Sequence, residues 1–311
     1  MILTVTLNPT LDRTLFVRRP ASRSVNRATG SRMIAAGKGV NVARMIRHLG
    51  QPAAALFPAG GPPGDMMELL LAQEGIRAAA VRTETWTRFQ VTFLDPDTWE
   101  WTTVLEPGVA ITATERDALH ARYEELLPDA ALVVLSGSSP CRVLDDSFRW
   151  MTEAAHRRDR RVILDTYGES LRLALPAAPL MVKPNVVESE GLLGRALPDE
   201  ASRWEAVEHY HASGVRLVIL TMGAEGALVS YEGRRWRAAP PAVETLNPVG
   251  SGDSLVGAVA VGLLRNLPIE DLIRLGIAAG AANAAVWEPA GCTPSQVQSL
   301  VPRVRLEPVN S

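Results

Sequence analysis

Four continuous apolar runs constrain this chain more than any other feature. Leu132-Val133-Val134-Leu135, Val162-Ile163-Leu164, Leu180-Met181-Val182 and Leu217-Val218-Ile219-Leu220 each run straight into a polar segment. Short runs without apolar–polar alternation suit strands buried on both faces, and helical patterns lie between them. Strands separated by helices imply an α/β fold with a doubly wound, mostly parallel sheet flanked by helices. In such a sheet, ligands bind beyond the carboxyl ends of the strands. The polar residues that follow the runs therefore read as the lining of one crevice: Ser136-Gly137-Ser138, Asp165, Lys183-Pro184-Asn185 through Glu188, and Thr221 with Gly223-Ala224-Glu225-Gly226.

The stretch Leu246-Asn247-Pro248-Val249-Gly250-Ser251-Gly252-Asp253-Ser254 joins a small-residue turn to an apolar helix over 254–264. Pro248 donates no backbone hydrogen bond, while Gly250 and Gly252 permit a tight bend that brings bare amides near a ligand. The helix adds unpaired N–H groups and a positive dipole end, so the junction favours a phosphate. Asp253 stands where it can take a proton from a hydroxyl attacking that phosphate. Asp253 and Ser254 also suit a plain helix cap.

The first strand, Ile2 to Leu7, runs into Asn8-Pro9-Thr10-Leu11-Asp12, a turn that leaves Asp12 just beyond a strand end. The same dipeptide is also ordinary turn chemistry. Gly37-Lys38-Gly39 opens a helix with apolar residues at 40, 43, 46 and 49, closed by Gly50. Its amides and lysine again face something anionic. No Gly-x-x-x-x-Gly-Lys-Ser/Thr loop occurs in the chain, so the phosphate site is not of the Walker type. Trp86 to Leu94 alternates apolar and polar residues, turns at Asp95-Pro96-Asp97 and continues to Leu105 as a β-hairpin, which suggests a small lid on an α/β body. Thr112-x-x-Glu115 starts a helix as a capping box.

At 311 residues the chain has the length of roughly two average domains, though α/β units of this size often fold as one. With 47% hydrophobic and 21% charged residues and a net charge of −2, it reads as a soluble globular protein with no nucleic-acid partner. Cys141 and Cys292 are too few for a disulfide framework, which points to a reducing cytoplasm. The N-terminal stretch reads as a strand and not a signal peptide, and no apolar run reaches membrane-spanning length. The five histidines follow no metal spacing.

In their order, Asn8-Pro9-x-x-Asp12, Gly37-Lys38-Gly39-Val40-Asn41, Lys183-Pro184-Asn185-x-x-Glu188 and Asn247 through Asp253 resemble the PfkB (ribokinase-like) carbohydrate kinases. The resemblance spans nearly the whole chain and is nearest the 1-phosphofructokinase, tagatose-6-phosphate kinase and minor 6-phosphofructokinase branch. It implies one ribokinase-like domain over 1–311, with a β-sheet lid from segments of about 11–34 and 88–106 that doubles as a homodimer surface. It implies ATP and Mg2+ as cofactors and transfer of the γ-phosphoryl to a ketohexose phosphate. Asp253 would be the general base, and the amides of Gly250, Ser251, Gly252 and Asp253 the anion hole. Asp12, Gly37 and Asn41 would hold sugar hydroxyls, while Arg27, Lys38 and Arg88 would neutralise the acceptor's own phosphate, with Ser136 on the same side. Lys183, Thr221, Gly223, Gly226 and Asn283 would serve the nucleotide, and Asn185 and Glu188 the metal through water. Read alone, Glu188 is a solvated first-turn residue and Arg88 a solvated edge charge.

Ala36 replaces the first glycine of the Gly-Gly-Lys-Gly-x-Asn pattern. Ser139-Pro140-Cys141 and Thr166-Tyr167 also depart from the branch, which leaves the particular sugar open. The alternatives are a PfkB kinase of an unphosphorylated sugar or nucleoside and a non-catalytic sugar-phosphate sensor. A dinucleotide-dependent dehydrogenase would need Gly-x-Gly-x-x-Gly after the first strand, which the chain lacks.

Overall fold

The computed structural model describes residues 1–309. In chain order the first elements are β1 (Ile2–Val5), β2 (Thr10–Phe16), β3 (Gly30–Ala36), α1 (Lys38–His48), β4 (Ala53–Ala59), α2 (Gly61–Gln73), β5 (Arg77–Arg82), β6 (Arg88–Leu94) and β7 (Trp101–Leu105). Next come α3 (Ala113–Leu126), β8 (Leu132–Ser136), α4 (Ser147–His156), β9 (Arg161–Asp165), α5 (Gly168–Ala174), β10 (Met181–Val182), α6 (Val186–Leu193) and α7 (Glu200–Ala212). The last are β11 (Leu217–Thr221), β12 (Ala227–Tyr231), β13 (Arg234–Ala239), α8 (Ser251–Leu264), α9 (Ile269–Ala284), α10 (Pro294–Leu300) and β14 (Arg305–Val309).

The four apolar runs become β8, β9, β10 and β11, neighbours in a ten-stranded sheet of order β14-β13-β12-β11-β10-β9-β8-β1-β4-β5. From β11 to β5 the pairing is parallel, and β12, β13 and β14 extend it antiparallel. Successive side chains of a strand point to opposite faces, so a continuous apolar run needs cover on both. Leu132, Val134, Ile163 and Ile219 pack with Val256 and Ala260 of α8 and Ala278 of α9. Val133, Leu135, Val162 and Leu220 pack with Tyr123 of α3, Phe148 of α4 and Val207 of α7. Each such buried side chain contributes about 1.5–3 kcal/mol of transfer free energy. The fold is thus the doubly wound sheet that the runs imply.

Between β1 and α1 the chain leaves this sheet for a second one of order β3-β2-β6-β7. Here β2 pairs antiparallel with β3 and parallel with β6, and β6 with β7 forms the expected hairpin. Asp12 therefore lies inside β2, opposite Gln90 of β6, and not in a turn beyond a strand end. The turn signal of Asn8-Pro9 is real, but it marks the passage from one sheet to the other. Helix α8 likewise starts at Ser251, three residues before the apolar pattern does, which puts Asp253 inside its first turn. The capping box at Thr112 and Glu115 opens α3 as expected. Among the described residues no helix is long and apolar enough to cross a membrane.

Two helices carry the site. A Cβ on Gly257 of α8 would lie 2.8 Å from Cβ of Met45 on α1, so the absence of a side chain there lets the helices touch. One turn earlier on each, Asn41 and Asp253 meet. Both helices turn their N-terminal ends toward the same cleft.

Candidate active site

The cleft, of about 1230 Å3, runs along the carboxyl ends of the parallel strands and under the smaller sheet. That exceeds the few hundred to about 1,000 Å3 usual for one small ligand and leaves room for two.

At its floor, β9 ends on Asp165, whose side chain is fully buried. Ser136 at the end of β8 donates its hydroxyl to Asp165 Oδ2 at 3.1 Å. Lys183 Nζ lies 3.2 Å from Asp165 Oδ1 and Lys38 Nζ 3.6 Å from the same oxygen. These are the only lysines in the chain. Burial pushes the Asp165 carboxyl up, but the ammonium groups of Lys183 and Lys38 outweigh it and hold the group below its ordinary value. Lys38 also sits 3.5 Å from Glu188 Oε1 and over the ring of Tyr167. Burial lowers its affinity for a proton, yet Asp165, Asp253 and Glu188 together raise its pKa above the ordinary lysine value.

Above this floor stands the start of α8. Gly250 adopts the left-handed conformation at φ 83°, and a Cβ there would meet Pro289 at 2.8 Å, so both backbone and space require glycine. The Ser251 amide donates to Pro248 O at 3.2 Å and is spent within the turn. The amides of Gly250, Gly252 and Asp253 find no acceptor among the described residues and remain for a ligand. The expected four-amide hole is thus three amides. Asp253 is buried and accepts from Asn41 Nδ2 at 2.8 Å. Burial pushes its carboxyl up to about 6, against the pull of Lys38 and the Asn41 hydrogen bond, while Asp165 adds to the rise.

On the side of the small sheet, Gln90 Nε2 donates to Asp12 Oδ2 at 3.0 Å, and Asp12 Oδ1 is buried without a partner. Burial raises Asp12 to about 6; Arg44 pulls it down and Glu288 pushes it up. An orphaned acceptor on a cleft wall suits a ligand hydroxyl. Nearby, Asn8 Nδ2 donates to Ser138 Oγ at 3.4 Å, Arg88 donates to Glu106 O at 3.1 Å, and Arg88 Nε is buried without a partner.

On the α6 side of Lys38, Asn185 and Glu188 cap α6 reciprocally: Glu188 N donates to Asn185 Oδ1 at 2.8 Å and Asn185 N to Glu188 Oε2 at 2.9 Å. Among the described residues no cluster of three or more histidine, cysteine or acidic side chains forms a metal cage. One capped glutamate facing the cleft fits a magnesium ion that keeps its waters and rides on a nucleotide's phosphates. Thr221, Gly223 and Gly226 line the same cleft with Val243 and Ala281.

The cleft thus gathers Asp12, Gly37, Lys38, Asn41, Arg88, Lys183, Asn185, Glu188, Thr221, Gly223, Gly226 and the 250–253 segment. Three expected residues stand elsewhere. Arg27 is exposed in the loop between β2 and β3 and does not line the cleft. Ser136 is buried and serves Asp165. Asn283 is fully buried: it donates to Val249 O and Ser251 Oγ and accepts from Ala290 N, so it braces the 247–251 turn and does not line a base pocket. Two more change partners: Lys38 is claimed by carboxylates, and Asn41 by Asp253. Sequence reading placed Asp165 and Ser138 on the crevice lining without a role, and passed over Gln90 and Arg44 as site residues. The strand-end rule that picked out the crevice applies to Asp165, and Arg44 lies one turn after Asn41 on α1.

A family model described as pfkB family carbohydrate kinase matches residues 5–296. The chain is 34% identical over 284 residues to the ATP-dependent 6-phosphofructokinase isozyme 2 of Escherichia coli (strain K12), covering 90% of this chain and 91% of that protein. It is 36% identical over 278 residues to a 1-phosphofructokinase of Rhodobacter capsulatus, covering 89% and 88%. The crystal structure of phosphofructokinase-2 from Escherichia coli in complex with potassium superposes with a TM-score of 0.90 at 32% identity, over 97% of this chain and 98% of that one.

Proposed function

The chain belongs to the pfkB family of carbohydrate kinases, and on that premise we propose that it transfers the γ-phosphoryl group of ATP to a hydroxymethyl oxygen of a ketohexose phosphate, giving a bisphosphate. The observation that carries this reading is the pairing of Asp253 with the three open amides at the start of α8, a proton acceptor beside an anion hole.

Asp253 accepts the hydroxyl proton as the oxygen attacks phosphorus. The bond from phosphorus to the β,γ-bridging oxygen breaks, and ADP leaves with the electron pair. Charge on the moving group meets the amides of Gly250, Gly252 and Asp253 and the ammonium groups of Lys38 and Lys183. Phosphoryl transfer asks mainly for this positioning and electrostatic complementarity. A general base with a pKa near 6 is ionised at neutral pH and still basic enough to help.

Asp12, set by Gln90, holds sugar hydroxyls through its free oxygen. Arg88, with Asn8 and Ser138 beside it, receives the acceptor's phosphate, a task suited to a guanidinium fork. The nucleotide lies toward Thr221, Gly223 and Gly226. Magnesium, held with the nucleotide through water by Glu188 and Asn185, would neutralise polyphosphate charge. Residues of the second sheet act as a lid, and its exposed Trp101, Val104 and Leu105 form the surface for a homodimer.

The test is product formation from ATP and Mg2+ with fructose 1-phosphate, fructose 6-phosphate, tagatose 6-phosphate and the corresponding free sugars. Turnover of one phosphorylated ketose supports the reading. Activity confined to free sugars or nucleosides overturns the assignment of Arg88, and tight binding without turnover favours a sensor.

A further inference from the structure

Arg44 is a buried cation that the reaction above does not use. Its Nε and Nη2 grip the two oxygens of Glu74, just after α2, at 2.6 and 2.9 Å. Nη2 also donates to Ala35 O of β3 at 2.7 Å, and Nη1 to Pro289 O at 3.4 Å. The remaining contact goes to Asn41 Oδ1 at 3.2 Å, and Asn41 Nδ2 in turn donates to Asp253 Oδ2 at 2.8 Å.

A guanidinium only donates and an ionised carboxylate only accepts. An amide between them satisfies both in one orientation alone, oxygen toward Arg44 and nitrogen toward Asp253. We propose that Arg44 is a positioning residue for phosphoryl transfer, which locks the Asn41 amide so that its NH2 group always faces the general base. The proposal rests on the reading of Asp253 as that base.

Without the Nη1 donor of Arg44, Asn41 Oδ1 loses its partner and the amide is free to turn over. Turned, it presents an acceptor to Asp253 and favours the protonated carboxyl, which removes the base. The other charged groups around the pair are Lys38 on α1, Asp165 at the end of β9 and Lys183 after β10, which face Asp253. Arg44 itself faces Glu74, Asp12 of β2 and His48 on α1. None of these supplies a donor to Asn41 Oδ1.

The test is a 13C-carboxyl titration of the ligand-free protein, with the Asp253 signal assigned by its loss in Asp253→Asn. Arg44→Met is combined with Glu74→Leu so that no unpaired charge is left buried. The Asp253 midpoint is expected to rise by about one pH unit, the size that one hydrogen bond to a charged group supports. Asn41→Leu should give a similar rise, and adding it to the Arg44 variant should give no more. In turnover the acid limb of kcat should move up by the same amount, with KM for ATP unchanged. Should the double variant not fold, Arg44→Lys keeps the charge against Glu74 but lacks the Nη1 that donates to Asn41, and it should also raise the midpoint. A midpoint unmoved in either folded variant, or shifts that add to that of Asn41→Leu, overturns the proposal. The titration needs no substrate, so a wild-type protein inactive on every sugar phosphate would sink the functional reading and leave this measurement standing.

Discussion

A Cβ on Gly252 would lie 3.2 Å from Nζ of Lys183, so the lysine packs directly against the backbone that carries the open amides. The amide floor and the buried cation are one unit, tied below to Asp165. Gly252→Ala should push Lys183 aside by a few tenths of an ångström. We expect kcat to fall roughly 10-fold, as small misplacements at reacting centres cost, with little change in thermal midpoint. A variant with full activity would show that the contact does not set the lysine.

Lys38 contacts Asp165 and Glu188 and feels the charge of Asp253, so it does not stand in a free phosphate pocket. Lys38→Ala should therefore act chiefly on kcat, by roughly 10²–10³ if it neutralises the moving phosphoryl. Because Lys38 also pulls Asp253 down, the acid limb of kcat should shift to higher pH. If only the KM for the sugar phosphate rises, Lys38 belongs to the acceptor's phosphate instead.

Asp253 gives a stability prediction with a definite sign. Its folded-state carboxyl is raised to about 6 from an ordinary 3.8, so between those values the native state holds a proton that the unfolded chain releases. Its contribution to stability is present at low pH and lost as pH rises from about 4 through 6. Asp253→Asn, which cannot ionise, should have a higher thermal midpoint than the wild type at pH 8, and the gap should close toward pH 4.5. Equal midpoints at pH 8 would contradict the burial cost.

Gly250→Ala forces a side chain into the left-handed region and against Pro289. It should cost on the order of 1–3 kcal/mol of stability by denaturant unfolding and disturb the amides beside it. A cost below about 0.5 kcal/mol, the range of ordinary surface changes, would show that the turn relaxes freely.

Much of this was legible beforehand where a local signal has one meaning. Short, β-branched apolar runs such as Leu132–Leu135, set between helical patterns, suit doubly covered strands, and polar residues at their carboxyl ends mark the crevice. Gly250, Gly252 and Asp253 were readable because a turn into a helix N-terminus has its own chemistry. What sequence could not give was the third dimension. That Lys38 leans toward Asp165, and that Asn41 faces Asp253, depends on how closely α1 and α8 approach at Gly257. Arg27 and Asn283 lie outside the cleft lining for opposite reasons: one stands in an exposed loop, and the packing of α9 makes the other a buried brace.

The most direct measurement follows the γ-phosphoryl in a single turnover. The wild-type protein, ATP, Mg2+ and each ketohexose phosphate are mixed, product is quantified, and the experiment is repeated with Asp253→Asn alongside a measurement of ATP affinity. The proposed reaction requires a bisphosphate from one acceptor, and a loss of roughly 10²–10⁴ in rate for the variant with ATP affinity retained. A bisphosphate formed at near-normal rate by Asp253→Asn, or none formed by the wild type from any acceptor, would contradict it.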